Sequence, residues 1–266
     1  MDAQKLKFSL GYSALNTARS ALSAVVICDN SRESVGTHPD ICTYLRGVFN
    51  EKPPIPRYNR IWNPKLVLDF LRSNGWFPAR RLSLKKLTLK LTILLALVSG
   101  HRCETLCQLD LSDMIKTKNE YRFNLTGLIK QSRPGFKNPQ PVFRTYPADK
   151  RICVYKYLHT YIDRTKEIRG ENTKLLLTFQ SPHHPPTGNS VSRWLKVMLK
   201  RSGVDTELFG AHSCRAASVS AAKRGGANIE EILVNVGWTQ ESTFAKFYNK
   251  PLVSSTTYQD HVMACK

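Results

Sequence analysis

The chain has 266 residues, with 40 Lys and Arg against 20 Asp and Glu, and a formal net charge of +20. Its 41% of hydrophobic residues and its mean hydropathy of −0.33 exclude wholesale disorder and a collagen-like or low-complexity fibre. The longest apolar run, residues 92–98, is far shorter than the roughly 20 residues of a membrane span. The N-terminus lacks the basic-then-apolar order of a signal peptide, so we expect a soluble, unsecreted protein.

The seven cysteines are odd in number, scattered and without a CxxC pair. A disulfide framework is uncommon in a chain of this size, so we expect reduced thiols in an intracellular compartment. A zinc site could be assembled from Cys103, Cys107 and the pair His183–His184, but the spacing provides no paired ligands downstream. We therefore expect no metal.

Residues 1–76 are predicted to form a small all-α unit. Helical spacing of apolar residues predicts helices over residues 13–26, 41–49 and 63–71. Ser13 can cap the first of these helices, and Pro64 suits the first turn of the third. The proline-rich residues 51–57 cannot lie inside a helix, and residues 74–78 end the third helix.

The remaining residues predict more helices and a little β-structure. A strong helix begins at Ser83 and ends at Gly100. Further helices are predicted over residues 104–109, 150–168, 190–200, 212–223, 229–236 and 242–248. Strands are predicted over residues 121–125, 141–146 and 175–179, with a turn at 132–135. We therefore expect a mainly α fold with a small β-hairpin, in two domains, residues 1–76 and 84–266, joined by a linker at 77–83.

The positive charge is spread over many segments of the chain rather than gathered in one helix. A merely basic soluble protein and a basic helix on a membrane surface are the alternatives. A membrane helix would concentrate the charge, whereas dispersed charge suits a long phosphate backbone contacted at many points. The composition therefore favours a nucleic acid partner.

Four features carry residue types suited to phosphate chemistry. They are Arg102 just after a predicted helix end, the pair His212 and Arg215 near a helix N-terminus, Trp238 after a glycine, and Tyr248 near the end of the chain. A spacing of three places His212 and Arg215 on one helix face, where free backbone N–H groups favour anions. Each feature alone is common and has an ordinary structural explanation. Their order and spacing together are uncommon.

In this order the features resemble the tyrosine recombinase, or phage integrase, family. The match is most specific over residues 84–251, and residues 12–26 resemble the start of the family's core-binding domain. Five stretches resemble recombinases of DIRS- and Ngaro-type retroelements and Crypton-like transposons: LVSGHRCETL, AHSCRAASVSAA, EILVNVGW, STFAKFYNKP and YSALNTARSALSAVV. The resemblance implies a helical core-binding domain followed by an α-rich catalytic domain.

The resemblance also implies a role for each residue at the scissile phosphate. Tyr248 would be the nucleophile and would leave a 3′-phosphotyrosyl link and a free 5′-hydroxyl. Arg102 and Arg215 would hold the non-bridging oxygens, and His212 would contact the phosphate and help to deprotonate Tyr248. A phenol is a poor nucleophile at neutral pH, so cations and a base are what this chemistry requires.

Two further positions follow from the same resemblance. Trp238 would occupy the family's His-or-Trp position and supply an indole N–H and packing. Lys130, just before the predicted turn, would be the general acid for the leaving oxygen, with Lys137 beyond the turn as the alternative. Glu104 departs from the pattern, since many members have an acidic residue one position later.

The expected partner is double-stranded DNA, with four protomers at a synapse, no membrane and no small-molecule substrate. Candidate DNA-binding residues are Arg133, Lys137, Arg193, Lys196 and Lys200, although a solvated basic face explains the last three equally well. The phosphotyrosyl bond preserves the phosphodiester energy, so we expect no cofactor. Nuclear residence follows only from the eukaryotic resemblance.

Two alternatives stay open at this point. The first is a domesticated DNA-binding module that keeps the fold without the reaction, although Arg102, His212, Arg215 and Tyr248 are all present. The second is a type IB topoisomerase-like enzyme, which relaxes DNA through the same tyrosine chemistry without a synapse.

Overall fold

The computed structural model describes residues 10–27, 34–55, 58–130, 132–135, 137–253 and 263. Parts of both predicted domains lie outside the described residues, namely residues 1–9, 28–33, 56–57, 131, 136, 254–262 and 264–266. The chain divides into two compact units, Met1–Arg57 and Tyr58–Lys266. None of the described helices is both long and apolar enough to cross a bilayer.

The first unit contains two helices, α1 (Tyr12–Leu22) and α2 (Pro39–Glu51). They contact each other through the rings of Tyr12 and Phe49, whose centroids lie 5.2 Å apart. Pro39 occupies the first turn of α2, where its missing N–H has no intrahelical acceptor to lose. No residue of α1 is buried, so this unit has little core of its own within its described part.

The second unit contains the other helices and the sheet. Its helices are α3 (Pro64–Arg72), α4 (Leu84–Ser99), α5 (Cys103–Cys107), α6 (Val154–Thr165), α7 (Gly188–Arg201), α8 (Ser213–Arg224), α9 (Ile229–Val236) and α10 (Glu241–Phe247), with 3-10 turns at Asn74–Trp76 and Ala79–Arg81. Its strands are β1 (Met114–Lys116), β2 (Glu120–Phe123) and β3 (Val142–Arg144).

Helix α4 is the centre of the second unit. Residues 87–96 are buried on every side, and the helix packs against α6, α7 and α8. A helix that is apolar all round belongs inside a core. The Ser83 side chain accepts from the Lys86 N–H at the start, and Gly100 ends the helix with a φ of +62°. Both predicted boundaries of this helix are confirmed.

A buried amine inside this core joins α4 to neighbouring segments. Lys90 is fully buried, and its Nζ donates to the carbonyls of Leu71 and Trp76 and to the Tyr157 hydroxyl at 2.7–2.8 Å. Three acceptors match the three N–H bonds of an ammonium group. Burial nevertheless lowers the pKa of Lys90 to about 7, because the charged form loses its hydration.

The sheet has three antiparallel strands in the order β1-β2-β3. In β2, Tyr121 and Phe123 are buried and alternate with less buried neighbours, as expected for a strand with one face on a core. The sequence predicted only β2 and β3 here, because β1 has no buried residue and therefore shows no alternation.

Helix α3 belongs to the second unit, whereas the sequence placed it in a domain ending at residue 76. Its residues Pro64, Val67 and Leu71 are buried, and the Trp62 Nε1–H just before it donates to the Ser213 hydroxyl of α8 at 2.8 Å. The described structure thus divides after residue 57, in the proline-rich stretch. Whether residues 1–76 act as one DNA-binding domain stays a prediction.

The predicted strand over residues 175–179 is wrong. Asp110 and Lys174 form an isolated bridge, but the backbone beyond it bonds to irregular partners. The N–H groups of Leu175 and Leu177 donate to the Leu109 carbonyl and the Tyr161 hydroxyl. A short apolar run is equally suited to a strand and to a buried extended segment, and here the tertiary contacts decided.

Candidate active site

The turn before Arg102 is fixed by its contacts with α8 and α9. Gly100 has a positive φ, and a Cβ there would lie 3.0 Å from the Val236 side chain, so only glycine fits without strain. The Asn235 amide donates to the Ser99 carbonyl at 2.9 Å. Arg102 itself is the residue before α5, and its position follows from this turn.

Arg215 connects the main parts of the site. It is 1% exposed, and its guanidinium donates to the Gly100 carbonyl at 2.7 Å and to the Val236 carbonyl at 3.2 Å. One side chain therefore joins the turn before Arg102 to the end of α9. Its Nε is buried and has no partner among the described atoms.

Trp238 and Tyr248 stack beside Arg215. The ring centroids of Trp238 and Tyr248 lie 4.4 Å apart, and the Arg215 Cζ lies 4.5 Å and 5.6 Å from those two centroids. The Tyr248 hydroxyl lies 3.4 Å from His212 Nε2, within hydrogen-bonding distance. The phenol thus has a cation on one side and an imidazole at its oxygen.

The backbone around Tyr248 is held on both sides. The Ser220 hydroxyl donates to the Tyr248 carbonyl and accepts from the Lys250 N–H at 3.3 Å. Further along, the Ile61 N–H donates to the Pro251 carbonyl and the Val253 N–H donates to the Ile61 carbonyl, both at 2.8 Å. These bonds attach the segment around Tyr248 to other segments of the same chain.

A pocket of about 700 Å³ brings four of the predicted residues together: Arg102, Lys130, His212 and Arg215 all line it. Lys137 instead lines a separate cavity of about 610 Å³ beside the β2–β3 connection. Trp238 and Tyr248 join the pocket through their contacts with Arg215 and His212. The geometry therefore favours Lys130 over Lys137, although the role of either stays a prediction.

The pocket changes the acidity of the groups that line it. Desolvation by the surrounding protein atoms, and next the cations Arg215 and Arg102, lower the pKa of His212, while Glu104 opposes this shift. Burial, followed by repulsion from Arg102, lowers the pKa of Arg215 to about 10. At neutral pH the site therefore offers guanidinium charge beside a neutral imidazole.

Two further residues of the pocket received no role from the sequence. His101 is 5% exposed, its Nε2 has no described partner, and burial, with Arg215 and Arg102 next, lowers its pKa to about 3. Glu104 is exposed and lies against the first residue of α7, where a Cβ on Gly188 would come within 3.1 Å of its carboxylate. Their positions beside Arg102 in the sequence were the available signal.

The predicted DNA-binding residues fall in two places. Arg133 and Lys137 are exposed in the β2–β3 connection. Arg193, Lys196 and Lys200 share the exposed face of α7. Both groups are available to a polyanion, and their contacts with DNA stay predictions. Within the described ranges, no cluster of three His, Cys, Asp or Glu side chains has the geometry of a metal site.

Solved structures of DNA recombinases share this fold. The chain is similar to the Tn1549 transposon integrase in complex with transposon right end DNA, with 17% identity, a TM-score of 0.59, and coverage of 96% of this chain and 78% of that one. It is also similar to the XerH site-specific recombinase bound to difH substrate, with 14% identity, a TM-score of 0.55, and coverage of 91% of this chain and 67% of that one. The likeness to the XerA recombinase has 14% identity, a TM-score of 0.53, and coverage of 95% of this chain and 82% of that one.

No curated protein matches the chain significantly. The structural likenesses confirm the expected fold, mainly α with a small antiparallel sheet, whereas the nearer resemblance to retroelement recombinases stays a prediction. The model of the phage integrase family matches residues 78–254. Since that match spans well over half of the sequence, the chain belongs to the phage integrase family.

Proposed function

We propose that this protein cuts and rejoins duplex DNA at specific sites through a covalent bond between Tyr248 and a 3′-phosphate. Family and fold support site-specific DNA recombination. The observation that carries the finer proposal is the Tyr248 hydroxyl, 3.4 Å from His212 Nε2 and stacked beside the buried Arg215. A phenol so placed has both a proton acceptor and a cation for its developing charge.

In the forward step, the Tyr248 oxygen attacks the phosphorus and a new P–O bond forms. His212 is the base that accepts the phenol proton, which its lowered pKa permits at neutral pH. Arg102 and Arg215 bind the non-bridging oxygens, on which charge increases in the pentacoordinate state. Neither guanidinium loses its proton, so this stabilisation persists through the step.

As the P–O5′ bond breaks, Lys130 donates a proton to the leaving oxygen and a free 5′-hydroxyl results. Rejoining reverses the step, with a 5′-hydroxyl attacking the phosphotyrosine and Lys130 recovering the proton. The bond energy stays in the phosphotyrosyl link, so neither ATP nor another cofactor enters this balance. Trp238 contributes packing against Tyr248 and Arg215.

The DNA and assembly follow from the reaction. An exchange between two duplexes needs four strand cleavages, so with one nucleophile in each protomer we propose four protomers at the synapse. One solved relative in fold, with a TM-score of 0.52, is a lambda integrase dimer bound to a COC′ core site. Nuclear residence stays a prediction from the eukaryotic resemblance.

Trapping on random-sequence DNA tests the proposal, because the protein selects its own target site. The protein is incubated with nicked duplexes containing random sequence, whose cleaved fragment diffuses away, and the covalent adducts are isolated under denaturing conditions and sequenced. We expect adducts that share a sequence in wild type and in Tyr146→Phe, which changes an exposed tyrosine two residues after β3. We expect no adducts in Tyr248→Phe.

Other outcomes would contradict the proposal. Adducts that persist in Tyr248→Phe would place the nucleophile elsewhere. Salt-sensitive DNA binding without any adduct would favour the inactive binding module. Relaxation of supercoiled plasmid that lacks paired sites, without sequence preference among the adducts, would favour the topoisomerase-like enzyme.

A further inference from the structure

Lys130 lies in a long connection between two paired strands. β2 ends at Phe123 and β3 begins at Val142, and most of the described residues between them, Lys130 included, are exposed or half-buried. Exposed connections have few contacts that restrain them. The position of Lys130 at the pocket therefore needs a local explanation.

One amide gathers this connection from both sides of Lys130. The Asn138 Nδ2 donates to the Leu125 carbonyl at 2.8 Å and to the Gly127 carbonyl at 3.1 Å. The Asn138 Oδ1 accepts from the Ser132 hydroxyl at 2.8 Å. Both N–H bonds and the oxygen of the half-buried amide are thus used within the connection.

Ser132 extends this tether to the residue before Lys130. Its hydroxyl oxygen accepts from the Ile129 N–H at 2.9 Å, and its own N–H donates to the Ile129 carbonyl at 2.8 Å. Lys130 therefore directly follows Ile129, which is bonded in both directions to Ser132, and Ser132 is in turn bonded to Asn138. We name Asn138 and Ser132, with these bonds, the amide tether.

We propose that Asn138, acting through Ser132, is the positioning residue that holds Lys130 at the leaving oxygen. A general acid must lie within hydrogen-bonding reach of the atom it protonates, so loosening its turn lowers the rate of that proton transfer. The inference rests on the proposed function, in which Lys130 is the acid.

A substrate with sulfur in place of the bridging 5′ oxygen at the scissile phosphate tests the tether. A thiolate leaves without protonation, so a defect in proton donation disappears on this substrate, whereas a defect in binding or in the nucleophile persists. Cleavage is measured in single turnover, on both substrates, with the site sequence recovered by trapping.

We expect Asn138→Ala and Ser132→Ala each to slow cleavage of the oxygen substrate about tenfold, a part of the usual contribution of an acid, and to cleave the sulfur substrate as wild type does. Gln140→Ala is the matched control, because its amide donates to Asn124 in the same connection but outside the tether. Lys130→Ala with Asn138→Ala should be no slower than Lys130→Ala alone.

Equal slowing of both substrates by both tether variants, or slowing of neither, would overturn the inference while leaving the proposed function standing. The premise that Lys130 is the acid is judged by Lys130→Ala, whereas the covalent step at Tyr248 is judged by trapping. If this variant cleaves the oxygen substrate at the wild-type rate, or is not rescued by sulfur, Lys130 is not the acid and the inference fails, while adducts that depend on Tyr248 still support the proposed function.

Discussion

Arg215 and Lys130 line the same pocket, but the protein holds them in different ways. Arg215 is 1% exposed on a core helix and donates to two backbone carbonyls from other segments. Lys130 is exposed and sits in a turn tethered only locally within what the structure describes. A cation that keeps its charge and must not move suits a buried, rigid site, whereas an acid that gives up a proton and recovers it in rejoining suits an exposed loop.

The largest expected effect comes from breaking the buried side of this comparison. Arg215→Lys keeps a positive charge but loses the planar fork that bonds Gly100 and Val236, so we expect covalent-complex formation to fall about 10²–10³-fold. Single-turnover trapping measures it, with thermal unfolding to check the fold. Arg80→Lys, at an exposed position in the 3-10 turn Ala79–Arg81, is the matched control. A fully active Arg215→Lys would show that the fork is dispensable.

The role of the exposed Lys130 is tested by comparing it with Lys137. Lys130→Ala should slow cleavage of an oxygen substrate about 10²-fold, the lower end for loss of a general acid. Lys137→Ala should leave that rate close to wild type, because Lys137 lines the other cavity. Rates are taken at saturating DNA, so that a loss of affinity does not enter. The opposite ranking would move the acid to Lys137.

The burial of His101 beside Arg215 predicts that the stability of the protein depends on pH. His101 has a pKa of about 3 in the folded state against about 6.5 unfolded, so below pH 6.5 the unfolded chain binds a proton that the folded chain does not. The contribution of neutral His101 to the free energy of unfolding is complete above pH 6.5 and is lost as the pH falls towards 3. At pH 5 the loss is about 2 kcal/mol.

Urea unfolding at pH 7 and pH 5 measures this loss. His101→Gln should reduce the difference between the two pH values by about 2 kcal/mol relative to wild type. If His101→Gln left this difference in the free energy of unfolding unchanged, water would reach His101 in the folded state.

The smallest effect concerns the turn before Arg102. Asn235→Ala removes the hydrogen bond to the Ser99 carbonyl and should lower the free energy of unfolding by about 1 kcal/mol, with a slower cleavage step. Asn172→Ala removes a similar bond to the Arg169 carbonyl, far along the chain from the site residues, and should cost the same stability without slowing cleavage. Equal cleavage rates in the two variants would show that Asn235 does not position Arg102.

Much of the fold was predictable because helices are encoded locally. The period of the leucines and the caps Ser83 and Gly100 predicted α4 correctly. The strand predicted over residues 175–179 was wrong, and α3 lies in a different unit from the one expected, because both depend on contacts with distant segments. The site residues were found by their order along the chain, which a single helix period does not reveal.

The sequence by itself determined a mainly helical, basic chain with Arg102, His212, Arg215, Trp238 and Tyr248 in the order of the phage integrase family. Only the tertiary structure decided that Lys130 rather than Lys137 lines the pocket, and that His101 is buried beside the arginines. The reason is separation: the bond from Arg215 to Gly100 joins residues 115 positions apart, and no local pattern of side chains specifies such a contact.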